Sequence, residues 1–143
     1  IQILVQSKVD SLIMDGDTEK LVRVFNNLLT NALKYGKGAT KIVIEVERIG
    51  SEVVATVKNN GAMIPQQAID NLFDRFYRVE ESRSQATGGT GLGLAIAQSI
   101  VALHGGYIYA KSDKQWTSFI MHLPIKKNEK LPITLSRENF NNF

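Results

Sequence analysis

The sequence contains no cysteine, three prolines and no long hydrophobic run among its 143 residues. Without cysteine the chain has no disulfides, thiolate metal sites or cysteine nucleophiles, which is typical of a reducing compartment. No segment reaches the roughly 20 consecutive apolar residues that a membrane-spanning helix needs, and no signal peptide is recognisable. We therefore expect a domain that is not itself embedded in a membrane.

A strong excess of charge of one sign is also lacking. The chain carries 17 basic and 14 acidic residues, for a net charge of +3, and no basic stripe with interleaved aromatic residues is present. This balance argues against nucleic acid as a partner. The hydrophobic share of 43% and charged share of 22% are typical of one globular domain. Because the first residue is Ile1 rather than Met, we expect a piece of a longer protein.

The hydrophobic pattern predicts the order helix, hairpin, helix, loop, helix, hairpin. The predicted elements are helices at 17–35, 65–73 and 92–103, strands at 42–46, 53–57, 107–110 and 117–123, and a polar loop at 79–89. Adjacent strands joined by hairpins predict an α+β two-layer sandwich, with a mixed, largely antiparallel sheet covered by helices on one face. We expect this domain to span residues 1–125 and a frayed polar tail to span 126–143.

A glycine-rich stretch at 88–94 directly precedes the third predicted helix. Glycine allows close backbone approach, and a helix N-terminus offers free N–H groups to an anion. The stretch is therefore either a phosphate-binding turn or a plain flexible loop.

Two asparagines and a lysine share one face of the first predicted helix, since Asn27, Asn31 and Lys34 are spaced i, i+4, i+7. Asparagine is unfavourable inside helices. Either these are ordinary surface residues, or an amide oxygen ligates Mg²⁺ while the lysine meets phosphate.

The second predicted strand ends in Asn59-Asn60-Gly61. Asn-Gly favours a tight hairpin turn, but the following residues do not alternate as a returning strand does. The alternative is a carboxamide and a glycine that face a flat heterocycle. Further along, Phe73 and Phe76 fit a core, whereas Tyr77 and Arg78 are placed to meet a ligand.

Four stretches in this order resemble the motifs of bacterial sensor histidine kinases. Residues 27–35 resemble the N box, 59–65 the first glycine box, 72–78 the F box and 89–94 the second glycine box. The resemblance covers about residues 17–124 and points to the class that partners OmpR-type regulators. Residues 23–27 and 76–78 further resemble the vancomycin-resistance sensor kinases.

The resemblance implies a Bergerat-type fold that binds ATP and Mg²⁺ beneath a lid formed by residues 79–87. It implies that Asn31 ligates Mg²⁺ with support from Asn27, and that Lys34 and Arg78 neutralise the transferring phosphate as catalytic residues. The residues implied in nucleotide binding are Asn27, Asn31, Lys34, Tyr35, Asn59, Gly61, Ile64, Tyr77, Arg78, Gly89, Thr90, Gly91, Leu92, Gly93 and Leu94.

The sequence departs from the family pattern at two places. Asn59 stands where the family usually has an aspartate that accepts a hydrogen bond from adenine, so we expect weaker ATP binding and a gain on Asn59→Asp. Met63 replaces a glycine, and the late glycine-rich turn is missing, with Trp116 in that region as either a packed or a ligand-binding aromatic.

The position of Asn27 separates related activities. ATPases of this superfamily carry a glutamate there as general base, and an amide cannot accept the proton of water. The sequence therefore favours transfer to a protein over hydrolysis. A serine kinase of the anti-sigma type and a nucleotide-binding or interaction module without catalysis remain as alternatives.

The acceptor of the phosphate is expected outside this sequence. Neither His104 nor His122 lies in the context of the family's phosphoacceptor. The resemblance thus implies a dimerisation and phosphoacceptor domain as the direct partner and a response regulator as an indirect one. It also implies a monomeric fragment, placed in the cytoplasm within a protein anchored in the cell membrane.

Overall fold

The computed structural model describes residues 1–8, 11–74, 92–125 and 132–136. The helices are α1 (Thr18–Tyr35), α2 (Gln66–Ile69) and α3 (Gly93–Leu103). The strands are β1 (Gln2–Ser7), β2 (Ser11–Asp15), β3 (Lys41–Ile49), β4 (Glu52–Asn59), β5 (Tyr107–Ser112), β6 (Thr117–Pro124) and β7 (Pro132–Ser136).

Five of the strands form one mixed sheet in the order β1-β3-β4-β6-β5. β1 runs parallel to β3, and the other neighbours are antiparallel. The β3–β4 and β5–β6 hairpins are the two that the sequence predicts. The sheet and its helices confirm the predicted α+β sandwich, in which α1 and α3 pack together over one sheet face.

The core lies between α1, α3 and the sheet face that they cover. Apolar residues alternate along β3, β4 and β6 because successive side chains of a strand point to opposite faces. The largest fully buried side chains are Phe119, Leu28, Ile42, Ile44, Met121, Leu123, Val24, Val46, Val53, Val57 and Val101. A single apolar layer thus fixes where the ends of β4 and β6 lie beneath the helices.

His104 joins the end of α3 to the beginning of α1. Its Nε2 accepts a hydrogen bond from Asp17 N–H at 3.0 Å, and its Nδ1 lies 2.8 Å from the Ile100 carbonyl oxygen. Asp17 also caps α1, since its carboxylate accepts a hydrogen bond from Lys20 N–H at 3.1 Å. Both ring nitrogens of this histidine therefore have structural partners.

The structure corrects the predicted elements at three places. The predicted helix at 65–73 is wrong in length, because α2 ends at Ile69 and residues 70–74 form turns with i→i+3 hydrogen bonds. The strands β1 and β2 are absent from the prediction. β7 pairs with β2 inside the predicted tail, so an entirely frayed tail is wrong for Pro132–Ser136. Among the described residues no helix is long and apolar enough to cross a bilayer.

Candidate functional site

Two polar side chains are buried at one end of the sheet. Asn59 is the last residue of β4 and 3% exposed, and Thr117 is the first residue of β6 and 2% exposed. The two residues pair across the strands, so both face the helix-covered side. In the part of the chain that the structure describes, they are the only buried polar residues. Buried polar groups require partners, which makes this sheet end a candidate for ligand recognition.

The turn after β4 is packed directly against the end of α1. The Asn59 Oδ1 atom accepts a hydrogen bond from Gly61 N–H at 2.9 Å. A Cβ atom on Gly61 would lie 2.8 Å from the Gly36 carbonyl carbon, closer than real Cβ atoms approach. Gly36, which caps α1, leaves equally little room, since a Cβ there would lie 2.5 Å from the Ala32 oxygen. Both glycines are therefore required by close backbone approach.

Thr117 anchors the segment that follows this turn. Its Oγ1 atom lies 2.6 Å from Ser112 Oγ and 3.4 Å from the Ala62 carbonyl oxygen. Ser112 Oγ in turn accepts a hydrogen bond from Ile64 N–H at 2.8 Å. These contacts form a chain of hydroxyl groups that holds residues 62–64 against the β5–β6 hairpin. We call Asn59, Gly61 and Thr117 the sheet-end site.

The neighbouring Asn60 forms hydrogen bonds to the beginning of β3. Its Oδ1 accepts hydrogen bonds from Thr40 N–H and Lys41 N–H at 2.8 and 2.9 Å, and its Nδ2 donates to Thr40 Oγ1 at 2.9 Å. Each group of this carboxamide holds the chain where β3 begins. Asn60 is therefore a structural residue, and Asn59 is the one that lines the buried sheet end.

The second part of the candidate site is the helix face formed by Asn27, Asn31 and Lys34, which we call the helix-face site. Asn27 and Asn31 are half-buried, whereas Lys34 is exposed in the last turn of α1. Asn27 Nδ2 donates a hydrogen bond to the Gly93 carbonyl oxygen at 3.1 Å. The structure thus brings the predicted residues Asn27 and Gly93 together and ties α1 to the first residue of α3.

The N-terminus of α3 has no side-chain cap. Leu92 occupies the N-cap position and accepts the backbone hydrogen bond of Ile96 N–H at 2.9 Å, but its side chain offers no acceptor. The first N–H groups of a helix without such a cap need other partners, and anions are suitable ones. Leu94 is 8% exposed and belongs to the core, which places it as a packing residue.

The β5–β6 turn is closed by a side chain and not by glycines. The Asp113 carboxylate accepts hydrogen bonds from Trp116 N–H at 2.8 Å and Gln115 N–H at 2.7 Å. These two bonds, Trp116 first, lower the pKa of Asp113. The Trp116 ring lies under Lys58 Nζ at 4.7 Å, which makes it a packed aromatic at the hairpin turn.

The comparisons with known proteins fit this geometry. Residues 16–127 match the family described as "Histidine kinase-, DNA gyrase B-, and HSP90-like ATPase". The chain belongs to this family. The Enterococcus faecium sensor protein VanS is 44% identical over 115 residues, which is 80% of this chain and 30% of VanS. The sensor protein kinase WalK of Staphylococcus haemolyticus is 40% identical over 118 residues, 80% of this chain and 19% of WalK.

Solved structures of histidine kinases share the fold of this chain. The catalytic domain of histidine kinase ThkA has a TM-score of 0.74 and 28% identity, over 87% of this chain and 78% of that one. ThkA in complex with the response regulator protein TrrA has a TM-score of 0.70 and 25% identity, over 87% of this chain and 34% of that one. The chain therefore spans less than a third of the length of VanS and WalK but most of a solved catalytic domain.

The remaining predicted residues divide into two groups. Ile64 is half-buried beside the sheet-end site, and Tyr35 ends α1. The other predicted positions lie outside the described residues, namely Tyr77, Arg78, Gly89, Thr90, Gly91 and the predicted lid at 79–87. Sequence reasoning missed Thr117 and Ser112. A threonine at an inward-facing position of an otherwise apolar strand was the available signal.

The side chains of the helix-face site can hold a hard cation only when a bound phosphate supplies further oxygen atoms. No group of three or more histidine, cysteine or acidic residues is placed to hold a metal within the described ranges. Asn31 offers a neutral amide oxygen, which Mg²⁺ accepts when phosphate oxygens and water complete its shell. Asn27 has its amide nitrogen on Gly93, so its oxygen is the end left for the site.

A cavity lies between the first half of α1 and α3. It has a volume of about 320 Å³ and is bounded by Lys20 and Arg23 of α1 and by the exposed side of α3. Neither Asn59 nor Asn31 lines this cavity. Leu92, the N-cap residue of α3, does line it, so the cavity reaches the helix N-terminus that belongs to the candidate site.

Proposed function

We propose that this domain binds ATP together with Mg²⁺ and donates the γ-phosphate to a histidine of another domain in a sensor histidine kinase. The proposal rests above all on one observation. The buried Asn59 lies against Gly36 at the end of α1, and Asn31 lies one and a half turns earlier on the same helix. A base and a triphosphate can thus be held by two neighbouring parts of one site.

The sheet-end site suits a nucleobase. It combines neutral, buried hydrogen-bonding groups with a glycine whose missing side chain lets the turn lie directly against Gly36 and Asn59. A flat heterocycle that enters such a pocket gains apolar contact and directional hydrogen bonds. We assign Asn59, Gly61 and Ile64 to base binding and add Thr117, whose hydroxyl lies at the same buried strand end.

The helix-face site suits the phosphates. Asn31 and Asn27 would hold Mg²⁺ through amide oxygens, and the bound cation would neutralise charge on the phosphate oxygens. Lys34 adds an exposed positive charge one turn further along α1. The uncapped N–H groups of α3 add a dipole that favours anions. Tyr35, Tyr77, Arg78 and Gly89–Gly91 stay in the proposal on their motifs alone.

Transfer to protein is favoured over hydrolysis by Asn27. Its amide cannot remove a proton from water, and its nitrogen is already committed to Gly93. The two histidines of the chain are poor acceptors, because His104 uses both ring nitrogens and the His122 ring stacks on Tyr107 at 4.6 Å. We therefore propose that a separate dimerisation domain supplies the acceptor and that the phosphate then passes to a response regulator. The domain would work in the cytoplasm, where ATP is present.

The first experiment is calorimetric titration of ATP into the 143-residue chain with and without Mg²⁺. We expect binding that requires Mg²⁺ and that Asn31→Ala weakens by about 100-fold, on the scale of lost metal affinity. Asn26→Ala is the matched control, because Asn26 is exposed on the same helix. No heat of binding from the folded wild type would contradict the proposal.

A second experiment separates a kinase from a binding module. The chain is incubated with labelled ATP and an added helical dimerisation domain that carries the acceptor histidine. Label on that histidine supports the kinase. Tight binding without transfer would indicate a nucleotide-binding or interaction module, the alternative that the Asn59 departure favours. Release of phosphate without an acceptor would indicate an ATPase.

A further inference from the structure

The orientation of the Asn59 carboxamide is fixed by its neighbour. Gly61 N–H can only donate, so the atom that lies 2.9 Å from it is the carbonyl oxygen Oδ1. The other end of the carboxamide is Nδ2, which carries two N–H donors and accepts nothing. The end of this side chain that points away from Gly61 is therefore a donor. An aspartate in the same place would offer an acceptor.

Reversal of the carboxamide is unfavourable. It would set the NH₂ group against Gly61 N–H, so that two donors face each other and the Gly61 hydrogen bond is lost. Oδ1 also lies beside the backbone of Gly36 and Gly61, where a Cβ added to either glycine would fall 3.0 or 2.9 Å from it. At 3% exposure the side chain has little access to water that could replace a lost partner.

Purines differ in what they present to such a donor. Adenine carries a 6-amino group, which is a donor, whereas guanine and hypoxanthine carry a 6-oxo group, which is an acceptor. A buried donor matches the 6-oxo group and opposes the 6-amino group. Sites that hydrogen-bond a substrate discriminate strongly, because a mismatch leaves buried polar groups unpaired.

We propose that Asn59 makes this site accept 6-oxopurine nucleoside triphosphates at least as readily as ATP. The inference rests on the proposed function, since it concerns the base bound at the sheet-end site. It names Asn59 as the residue that determines base specificity and the orientation of its carboxamide as the cause.

The test compares three nucleotides that differ only around position 6 of the base. ATP, inosine triphosphate and purine riboside triphosphate are titrated with Mg²⁺ into the 143-residue chain by calorimetry. Inosine triphosphate is preferred to GTP because it lacks the 2-amino group. We expect it to bind at least as tightly as ATP, and we expect removal of the 6-amino group not to weaken binding.

A variant of Asn59 tests the role of the donor. Asn59→Asp replaces Nδ2 by an acceptor and should shift the ratio of the two dissociation constants toward ATP by about tenfold or more. Asn26→Asp makes the same chemical change at an exposed position of α1 and should leave the ratio unchanged. Thermal unfolding of both variants shows whether they fold. If Asn59→Asp does not fold, the three nucleotides on the unaltered chain decide the question.

Two results would overturn the inference, and they differ in what they mean for the proposed function. If the wild type binds ATP more tightly than inosine triphosphate, the specificity inference is wrong and nucleotide binding stands. If the folded wild type binds none of the three nucleotides, the proposed function fails and the inference fails with it.

Discussion

The sheet-end site and the helix-face site lie side by side but hold their polar groups in opposite ways. Asn59 and Thr117 are 3% and 2% exposed and have hydrogen-bond partners within the protein. Asn27 and Asn31 are half-buried, and Lys34 is exposed. The buried groups are rigid and neutral, so they suit selection among ligands of similar shape. The open, partly charged groups suit attraction of an anion, which salt weakens.

The sheet-end site should be the more sensitive of the two to small changes of volume. Gly61→Ala places a Cβ 2.8 Å from the Gly36 backbone and 2.9 Å from Asn59 Oδ1. We expect the free energy of unfolding in urea to fall by about 1–3 kcal/mol, the usual cost of overpacking. Nucleotide affinity should fall as well, because the Asn59 side chain must move.

Gly93→Ala is the matched control at the helix-face site. A Cβ there meets Asn27 Cγ only at 4.0 Å, an ordinary van der Waals contact. Alanine also favours helix over glycine, so stability should be unchanged or raised by up to about 1 kcal/mol. Equal losses for both variants would remove the contrast in packing between the two sites.

Thr117→Val tests whether the hydroxyl chain stabilises the sheet-end site. Valine keeps the branched shape but removes the partner of Ser112 Oγ, which lies 2.6 Å away, and of the Ala62 carbonyl. We expect a loss of about 1–2 kcal/mol in chemical denaturation, the cost of buried groups left without a partner. Ser118→Ala, on the opposite sheet face, should cost less than about 0.5 kcal/mol. A valine variant as stable as wild type would show that the hydroxyl contributes nothing.

The elements with a strong local pattern were the predictable ones. α1 shows helical spacing of its apolar residues and a capping aspartate, and β3 and β4 alternate around a turn. Their predicted positions agree with the structure to within about three residues. β1 is different, because it pairs in parallel with β3, about 40 residues away in sequence, and no local turn signals that pairing. β2 and β7 meet across most of the chain for the same reason.

The site residues also differ in whether a local sequence pattern predicts them. Asn27, Asn31 and Lys34 follow from the period of one helix, so their common face is visible in the sequence. Thr117 becomes a candidate only when the β4–β6 register sets it opposite Asn59. The separate tasks of Asn59 and Asn60 are also hidden, because they depend on which backbone groups, Gly61 or Thr40, lie within reach. These assignments depend on contacts between distant parts of the chain, which a local sequence pattern does not show.

The hydrogen bond between Asn27 and Gly93 should be worth less than the buried groups, because it is only part-buried. Asn27→Ala removes it, and Asn26→Ala makes the same substitution at an exposed neighbour. Both variants gain helix propensity equally, so the difference between their unfolding free energies isolates the hydrogen bond. We expect a difference of about 1 kcal/mol. No difference would mean that α1 and α3 are held together by apolar packing alone.

Lys34→Gln should give the smallest effect on stability and the clearest dependence on salt. The side chain is exposed, so the free energy of unfolding should change by less than about 0.5 kcal/mol. A unit charge about 4 Å from a phosphate oxygen in water contributes about 1 kcal/mol, so ATP affinity should fall about fivefold at low salt. In 0.5 M salt this difference should nearly vanish, because screening acts on exposed charges. Lys20→Gln, at the opposite end of α1, is the control and should leave affinity unchanged at both salt concentrations. A loss that persisted in high salt would mean that Lys34 is buried against the nucleotide when it binds, and that the helix-face site then becomes as closed as the sheet-end site.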